Sequence, residues 1–135
     1  WPDSKVFQQA CPMWVPLIEN NEFESEGALY FFKKDLESLF NQSKDIDTIL
    51  LGCTHYPVLM NILEKLVPPT VKITSQDEIV AESLKDYLNR HTYLERKISK
   101  DATTEFFTTG TEQDFDTHAP LFFGQQVCSH HVDLG

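Results

Sequence analysis

A cysteine and a histidine lie two residues apart, at Cys53 and His55, in the segment TILLGCTHYPVL. A cysteine thiolate can act as a base, and a neighbouring histidine can hydrogen-bond the sulfur or supply a proton. Thr54, which lies between them, adds a hydroxyl and a backbone N–H that suit a carboxylate. The spacing therefore predicts an acid/base thiol beside an anion-binding turn.

Local chemistry leaves two other interpretations of this pair open. A cysteine at a strand end is often only a small buried apolar residue. A Cys-x-His pair can also be half of a zinc site, although none of the spacings here is the paired CxxC of strong zinc motifs. The residues that could complete such a site are Cys128, His130 and His131. The third cysteine, Cys11, stands beside a proline in an apolar setting, which predicts a packing role.

The elements around Cys53 predict where it lies. The apolar run Asp47–Leu51 is typical of a buried parallel strand, and Gly52 permits a sharp turn after it. Pro57 can open a helix that ends before the next proline pair. Cys53 is thus expected at the carboxyl end of a strand, where open α/β sheets bind ligands. Backbone N–H groups at a helix start favour a thiolate over a thiol.

Apolar periodicity along the rest of the chain switches between strand-like and helix-like. Four further segments are predicted strands: Lys5–Ala10, Val71–Thr74, Glu105–Thr109 and Val127–Val132. Four further segments are predicted helices: Val15–Asn20, Glu26–Asn41, Glu78–Asn89 and Phe115–Phe123. This alternation predicts an α/β fold with a parallel sheet. The polar stretch 91–104 is predicted to be a loop and the boundary between two parts, residues 1–90 and residues 91–135.

Composition narrows the classes of partner. Eleven Lys and Arg against 21 Asp and Glu give a net charge of −10, which repels phosphate backbones and anionic lipids. We therefore expect no nucleic-acid partner and no membrane partner. No apolar run approaches the ~20 residues of a membrane-spanning helix. The first ten residues lack the features of a signal peptide.

The cysteines and the first residue carry two further expectations. Three cysteines at wide spacings do not make a disulfide framework, which predicts free thiols in the cytoplasm. Because the chain begins at Trp1 rather than at a methionine, we expect a piece of a longer protein.

Three motifs together resemble one known family. The run LGCTHYPVL, with ACPMWVPLIEN upstream and FFTTG downstream, closely resembles the glutamate racemases of the aspartate/glutamate racemase superfamily. The resemblance covers the whole chain but only the C-terminal half of the family's sequence. It implies a three-layer α/β sandwich of parallel strands, in which residues 1–90 form one of two domains. Residues 91–135 would return to complete the other domain.

The resemblance also implies roles for individual residues. Cys53 matches one of two catalytic thiols that act on opposite faces of the substrate α-carbon, and His55 matches the histidine that assists it. Glu19 matches an acidic residue near the same half of the site, and Thr54 matches a position that binds a glutamate carboxylate. The implied reaction is racemisation of glutamate without metal or other cofactor, which supplies D-glutamate for peptidoglycan and so serves cell-wall formation and cell shape.

The chain departs from the family pattern in one large respect. The family's N-terminal half carries an Asp-Ser loop and a Cys-Asn-Thr motif with the first catalytic cysteine, and neither occurs here. Half an active site is therefore expected, and neither Cys11 nor Cys128 matches the missing context. The alternatives are an aspartate or hydantoin racemase of the same superfamily and a non-catalytic binding module. The expected partner is the small-molecule substrate glutamate, and a homodimer stays open.

Overall fold

The computed structural model describes residues 3–135, apart from the side chain of Glu78. The chain divides into two compact units, one ending at Ile79 and the other running from Val80 to Gly135. This division lies within a helix, whereas the sequence places a boundary near residue 91. Among the described residues, no helix is both long and apolar enough to cross a membrane.

The first unit contains a short two-stranded sheet and the helices around it. Its elements in chain order are α1 (Trp14–Glu19), α2 (Glu26–Gln42), β1 (Thr48–Leu51), a 3-10 helix (Tyr56–Leu59), α3 (Met60–Leu66), β2 (Lys72–Ser75) and the start of α4 (Gln76–Arg90). Strands β1 and β2 run parallel, with Thr48 opposite Lys72 and Leu51 opposite Ser75. The predicted parallel α/β class is therefore confirmed.

The core of the first unit is formed by the apolar faces of its helices and the end of β1. Phe32, Ile18, Leu59 and Leu63 are its largest fully buried side chains. Helix α2 begins at a cap in which the Ser25 hydroxyl accepts a hydrogen bond from the Ala28 N–H. Such a cap satisfies one of the free N–H groups at a helix start. Through this core α1 packs against α2 and against the 3-10 helix, which leads into α3.

The second unit contains a second parallel pair of strands. After the rest of α4 come α5 (Thr92–Glu95), β3 (Phe106–Thr108), α6 (Glu112–Phe123) and β4 (Ser129–His131). Strands β3 and β4 pair in parallel, and the Phe106 ring packs between Phe115 and Phe123. The buried apolar residues of the described chain all belong to the first unit. A segment this short has too little interior to bury a full core.

The structure corrects three of the predicted elements. Residues Lys5–Ala10 form no strand; Val6 is exposed, and this segment pairs with no other described strand. β1 is buried on one face only, because Leu51 is buried whereas Leu50 is 59% exposed. The predicted loop 91–104 contains the short helix α5.

Candidate active site

Cys53 follows β1 directly and precedes the 3-10 helix. The Tyr56 N–H donates to the Cys53 carbonyl at 3.2 Å, which closes the turn between strand and helix. The helix that the sequence predicts after Pro57 begins as a 3-10 helix and continues as α3 to Leu66. A side chain at Gly52 would meet no atom within 4 Å, and the backbone there is not left-handed, so the turn does not depend on glycine.

His55 lies at the centre of a chain of polar side chains. Its Nε2 is 3.2 Å from Oε1 of Glu19, at the end of α1. Its Nδ1 is 3.9 Å from the Cys53 sulfur and 3.5 Å from the Thr54 hydroxyl. The structure thus brings together all four residues that the sequence and the family resemblance single out. Glu19 reaches this cluster from 36 positions away along the chain.

This geometry permits proton transfer between sulfur and imidazole. With its Nε2–H donated to the Glu19 carboxylate, the ring presents Nδ1 as an acceptor to the thiol of Cys53. The carboxylate fixes that tautomer and stabilises the ring when it becomes positively charged. The arrangement is therefore suited to generate a thiolate and to return its proton.

The contact between His55 and Glu19 contributes little to stability. The side chains of His55 and Glu19 are 27% and 56% exposed. Even fully charged pairs this open to water contribute on the order of 1 kcal/mol or less. A histidine fixed between a thiol and a carboxylate is better explained by chemistry at the sulfur.

Cys11 has a different environment from Cys53. Its sulfur donates to the Gln9 carbonyl at 3.7 Å, and its own carbonyl accepts from the Tyr56 hydroxyl at 3.5 Å. Burial, and then the negative charge of Asp35, raise the pKa of Cys11 to about 12. The thiol therefore stays protonated near neutral pH. This agrees with the packing role that the sequence predicts.

The sequence did not predict the roles of three residues beside the site, which are Trp14, Asp35 and Tyr56. Trp14 is buried, its ring lies 4.9 Å from that of Tyr56, and its Nε1–H donates to Asp35 at 2.8 Å. A signal for Asp35 was present, because it lies on the face of α2 that buries Phe32 and Leu36. A carboxylate on a buried helix face requires a partner.

The zinc interpretation finds no arrangement that would support it. Among the described residues, no group of three or more His, Cys, Asp or Glu side chains is placed to hold a metal ion. Cys128 is exposed, and His131 Nδ1 lies 2.9 Å from the Gly110 carbonyl. The His130 ring packs against Phe107, with 6.0 Å between the ring centres.

A substrate cleft at Cys53 remains a prediction. Two shallow depressions in the first unit lie beside the segment that joins α3 to β2, and Pro68 lines both. Cys53 lines neither of them. The cluster around His55 is thus a set of thiol, imidazole, hydroxyl and carboxylate groups near the surface of this unit.

Known proteins resemble the chain over nearly its whole length. No protein-family model matches it. A glutamate racemase of Thermoanaerobacter sp. (strain X514) is 37% identical over 131 residues, which cover 96% of this chain and 48% of that protein. The solved structure of a glutamate racemase isoform from Bacillus anthracis aligns with a TM-score of 0.83 and 32% identity, over 98% of this chain and 48% of that one.

A second solved structure shows the same fold with a bound small molecule. It is a glutamate racemase from Thermus thermophilus in complex with β-chloro-D-alanine, with a TM-score of 0.76 and 27% identity. The alignment covers 93% of this chain and 47% of that one. The chain spans about half the length of the curated relatives it matches.

Fold and sequence together show which class of protein this chain resembles. The chain is an α/β chain with parallel strands, and it matches amino-acid racemases over nearly its whole length. The particular resemblance, to the glutamate racemases, is confirmed.

Proposed function

We propose that this chain provides one half of the active site of a glutamate racemase, which interconverts L- and D-glutamate. The observation that carries the proposal is the chain of contacts from the Cys53 sulfur through His55 to Glu19. The relatives are named glutamate racemases, which supports glutamate as the substrate. The Thermus thermophilus structure, with its bound β-chloro-D-alanine, supports a small amino-acid ligand.

Cys53 acts as base and acid at the substrate α-carbon. Its thiolate accepts the α-proton in one direction, and its thiol returns a proton to the same face in the other. His55 holds the thiol proton on Nδ1 while the sulfur is a thiolate, and Glu19 keeps the ring oriented. Thr54 offers its hydroxyl and N–H to a substrate carboxylate, so the α-carbon is held against the sulfur.

Inversion requires a second acid/base group on the opposite face of the α-carbon. Cys11 is unsuited to that role because its raised pKa makes its thiol a weak acid. Cys128 does not stand in a Cys-Asn-Thr sequence like that of the family's first catalytic cysteine. We therefore assign the second thiol to a part of the protein beyond these 135 residues.

We also propose how the domains of the racemase are arranged and how its product is used in the cell. Residues 1–90 form one α/β domain, and residues 91–135 pack on the other domain of the racemase. The two thiols act without metal or organic cofactor, since a pocket of oriented donors can stabilise the developing carbanion. The product D-glutamate enters peptidoglycan synthesis in the cytoplasm.

The test uses the full-length protein that contains this chain. Cys53→Ser is expected to lower the rate of glutamate racemisation by about 10²–10⁴-fold, because serine is a far weaker acid and base. His55→Asn is expected to slow it less, because histidine assists the thiol without replacing it. Chiral chromatography of L- and D-glutamate measures the rate, and far-UV circular dichroism verifies folding.

Cys128→Ser is the matched control, because it removes an exposed thiol from the other unit. It should retain full activity. Undiminished racemisation by Cys53→Ser would refute the proposed role of Cys53. Turnover of aspartate or a hydantoin in place of glutamate would assign the chain to another racemase of the superfamily, and turnover of none would favour a binding module.

A further inference from the structure

Asp35 is a buried carboxylate that the proposed reaction does not use. It is 8% exposed and lies on the core-facing side of α2. Its Oδ2 accepts the indole N–H of Trp14 at 2.8 Å, across 21 positions of sequence. An apolar side chain would fill the same place in the core without the cost of burying a carboxylate. The presence of an acid here therefore calls for an explanation.

The Trp14 ring connects Asp35 with the segment that contains the reactive residues. Trp14 is 3% exposed, and its ring packs edge-on against Phe32 of α2 at 5.2 Å. It also contacts the ring of Tyr56 at 4.9 Å. Tyr56 is the residue after His55 and begins the 3-10 helix. One indole thus contacts both the helix α2 and the turn that holds His55.

Trp14 also fixes α1, the element that supplies Glu19. Helix α1 has only six residues and no side-chain cap at its start. A helix this short is not stable in isolation, so packing determines its position. Its two buried residues are Trp14 at its first position and Ile18 beside Glu19. The position of Glu19 relative to His55 therefore depends on how Trp14 is held.

We propose that Asp35 is a positioning residue for the acid/base pair. By holding the Trp14 indole, it fixes α1 and the 3-10 helix so that Glu19 stays within hydrogen-bond distance of His55. The inference rests on the proposed function, because it assigns Asp35 to the same Cys53–His55–Glu19 cluster. Asp35 itself touches none of the reacting atoms and acts through Trp14.

The charge of Asp35 also acts on a neighbouring thiol. Burial first, and then the charge of Asp35, raise the pKa of Cys11 to about 12. Asp35 therefore disfavours a thiolate at Cys11.

The test measures how fast iodoacetamide alkylates Cys53 near neutral pH, read for that cysteine alone by peptide mass spectrometry. Asp35→Leu removes the acceptor and is expected to slow alkylation by about five-fold, since misplacing Glu19 weakens the action of His55 on the sulfur. Asp35→Asn keeps an acceptor for the indole N–H and should change the rate by less than about two-fold.

Two further variants separate positioning from a general loss of stability. Leu63→Ala removes a buried side chain of α3 outside this network, and it should leave the alkylation rate unchanged while the protein is folded. In a His55→Asn background, Asp35→Leu should have no further effect, because a residue that acts through His55 has nothing left to position. An effect of Asp35 that does not pass through His55 would slow alkylation equally in both backgrounds.

The outcomes also separate this inference from the proposed function. If His55→Asn does not slow alkylation, the acid/base pair itself is refuted. If His55→Asn slows it and Asp35→Leu does not, only the role of Asp35 is refuted. Should Asp35→Leu fail to fold, Trp14→Phe removes the same hydrogen bond and keeps an aromatic ring. Trp14→Phe is then also expected to slow alkylation of Cys53, and an unchanged rate would overturn the inference.

Discussion

Two half-buried cysteines in the first unit differ in the charge of their nearest titratable groups. Cys53 lies beside the imidazole of His55, whereas Cys11 lies near the Asp35 carboxylate. Burial and negative charge both disfavour a thiolate at Cys11 and raise its pKa to about 12. Under the proposed function, Cys53 is therefore the reactive thiol and Cys11 has a packing role.

The pH dependence of stability should report the environment of Cys11. Its pKa rises from an ordinary 9.0 to about 12 on folding. Below pH 9 the thiol is protonated in both states, but between pH 9 and 12 only the unfolded chain loses the proton. The free energy of unfolding should therefore decrease as the pH rises through this range. Because Cys11 is half-buried, solvent screens part of the effect.

Urea denaturation at several alkaline pH values measures this decrease. Cys11→Ser should make the decrease smaller, since serine does not ionise there. Cys128→Ser, which removes an exposed thiol, serves as the control and should leave the decrease as it is. An identical pH dependence in Cys11→Ser and in the unaltered chain would contradict the prediction.

Residue-level prediction from the sequence succeeded where partners are close along the chain. The two-residue spacing of Cys53 and His55 was sufficient to predict their contact. Glu19 came only from the family resemblance, because its contact with His55 spans 36 positions and depends on tertiary packing. The link from Asp35 through Trp14 was missed for the same reason, since nothing local to α2 identifies its partner.

Elements with similar sequence patterns differ in what they bury. Both α2 and α4 were predicted from an apolar stripe at helical spacing. Helix α2 buries Phe32 and Leu36, whereas the apolar residues Ile79, Val80, Leu84 and Tyr87 of α4 are 43–60% exposed. The stripe correctly predicted both helices, but burial depends on which surfaces are available. For the same reason the segment Lys5–Ala10 has a strand-like pattern and yet forms no strand, because no neighbouring strand pairs with it.

Two adjacent leucines of β1 test which face of this strand is buried in the chain. Leu51 is 4% exposed and Leu50 is 59% exposed. Leu51→Ala should lower the free energy of unfolding by about 2–5 kcal/mol, because it leaves a cavity in the core. Leu50→Ala should change it by less than about 0.5 kcal/mol. The fluorescence of Trp14 during urea denaturation, in a Trp1→Phe background, measures both. Equal losses would mean that β1 is covered on both faces.

The first unit of the chain has a buried apolar core, whereas the second unit has no buried apolar residue among those described. All the residues of the candidate site lie in the first unit, and the buried apolar residues lie there too. The net charge of −10 is consistent with a small polar substrate only if local groups overcome it. Under the proposed function, the hydroxyl and backbone N–H of Thr54 are such groups.

The chain on its own should not racemise glutamate. One thiol can exchange the α-proton on a single face, but inversion requires a donor on the other face. Cys11 is unsuited because burial and the charge of Asp35 raise its pKa to about 12, which makes its thiol a weak acid, and because its sulfur donates to the Gln9 carbonyl. Incubation of the chain with L-glutamate, followed by chiral chromatography, should detect no D-glutamate above the level of a Cys53→Ala control. Turnover by the unaltered chain alone would reveal a second acid/base group within these residues.

The Glu19–His55 contact has a kinetic consequence for refolding. It joins residues 36 positions apart, and the neighbouring Tyr56–Cys11 contact joins residues 45 apart. Long loops must close before such contacts form, whereas helices such as α2 require only local contacts. A refolding chain should therefore recover its helical circular dichroism first and the native reactivity of Cys53 last. The rate at which Cys53 is alkylated during refolding should therefore report the final step of folding.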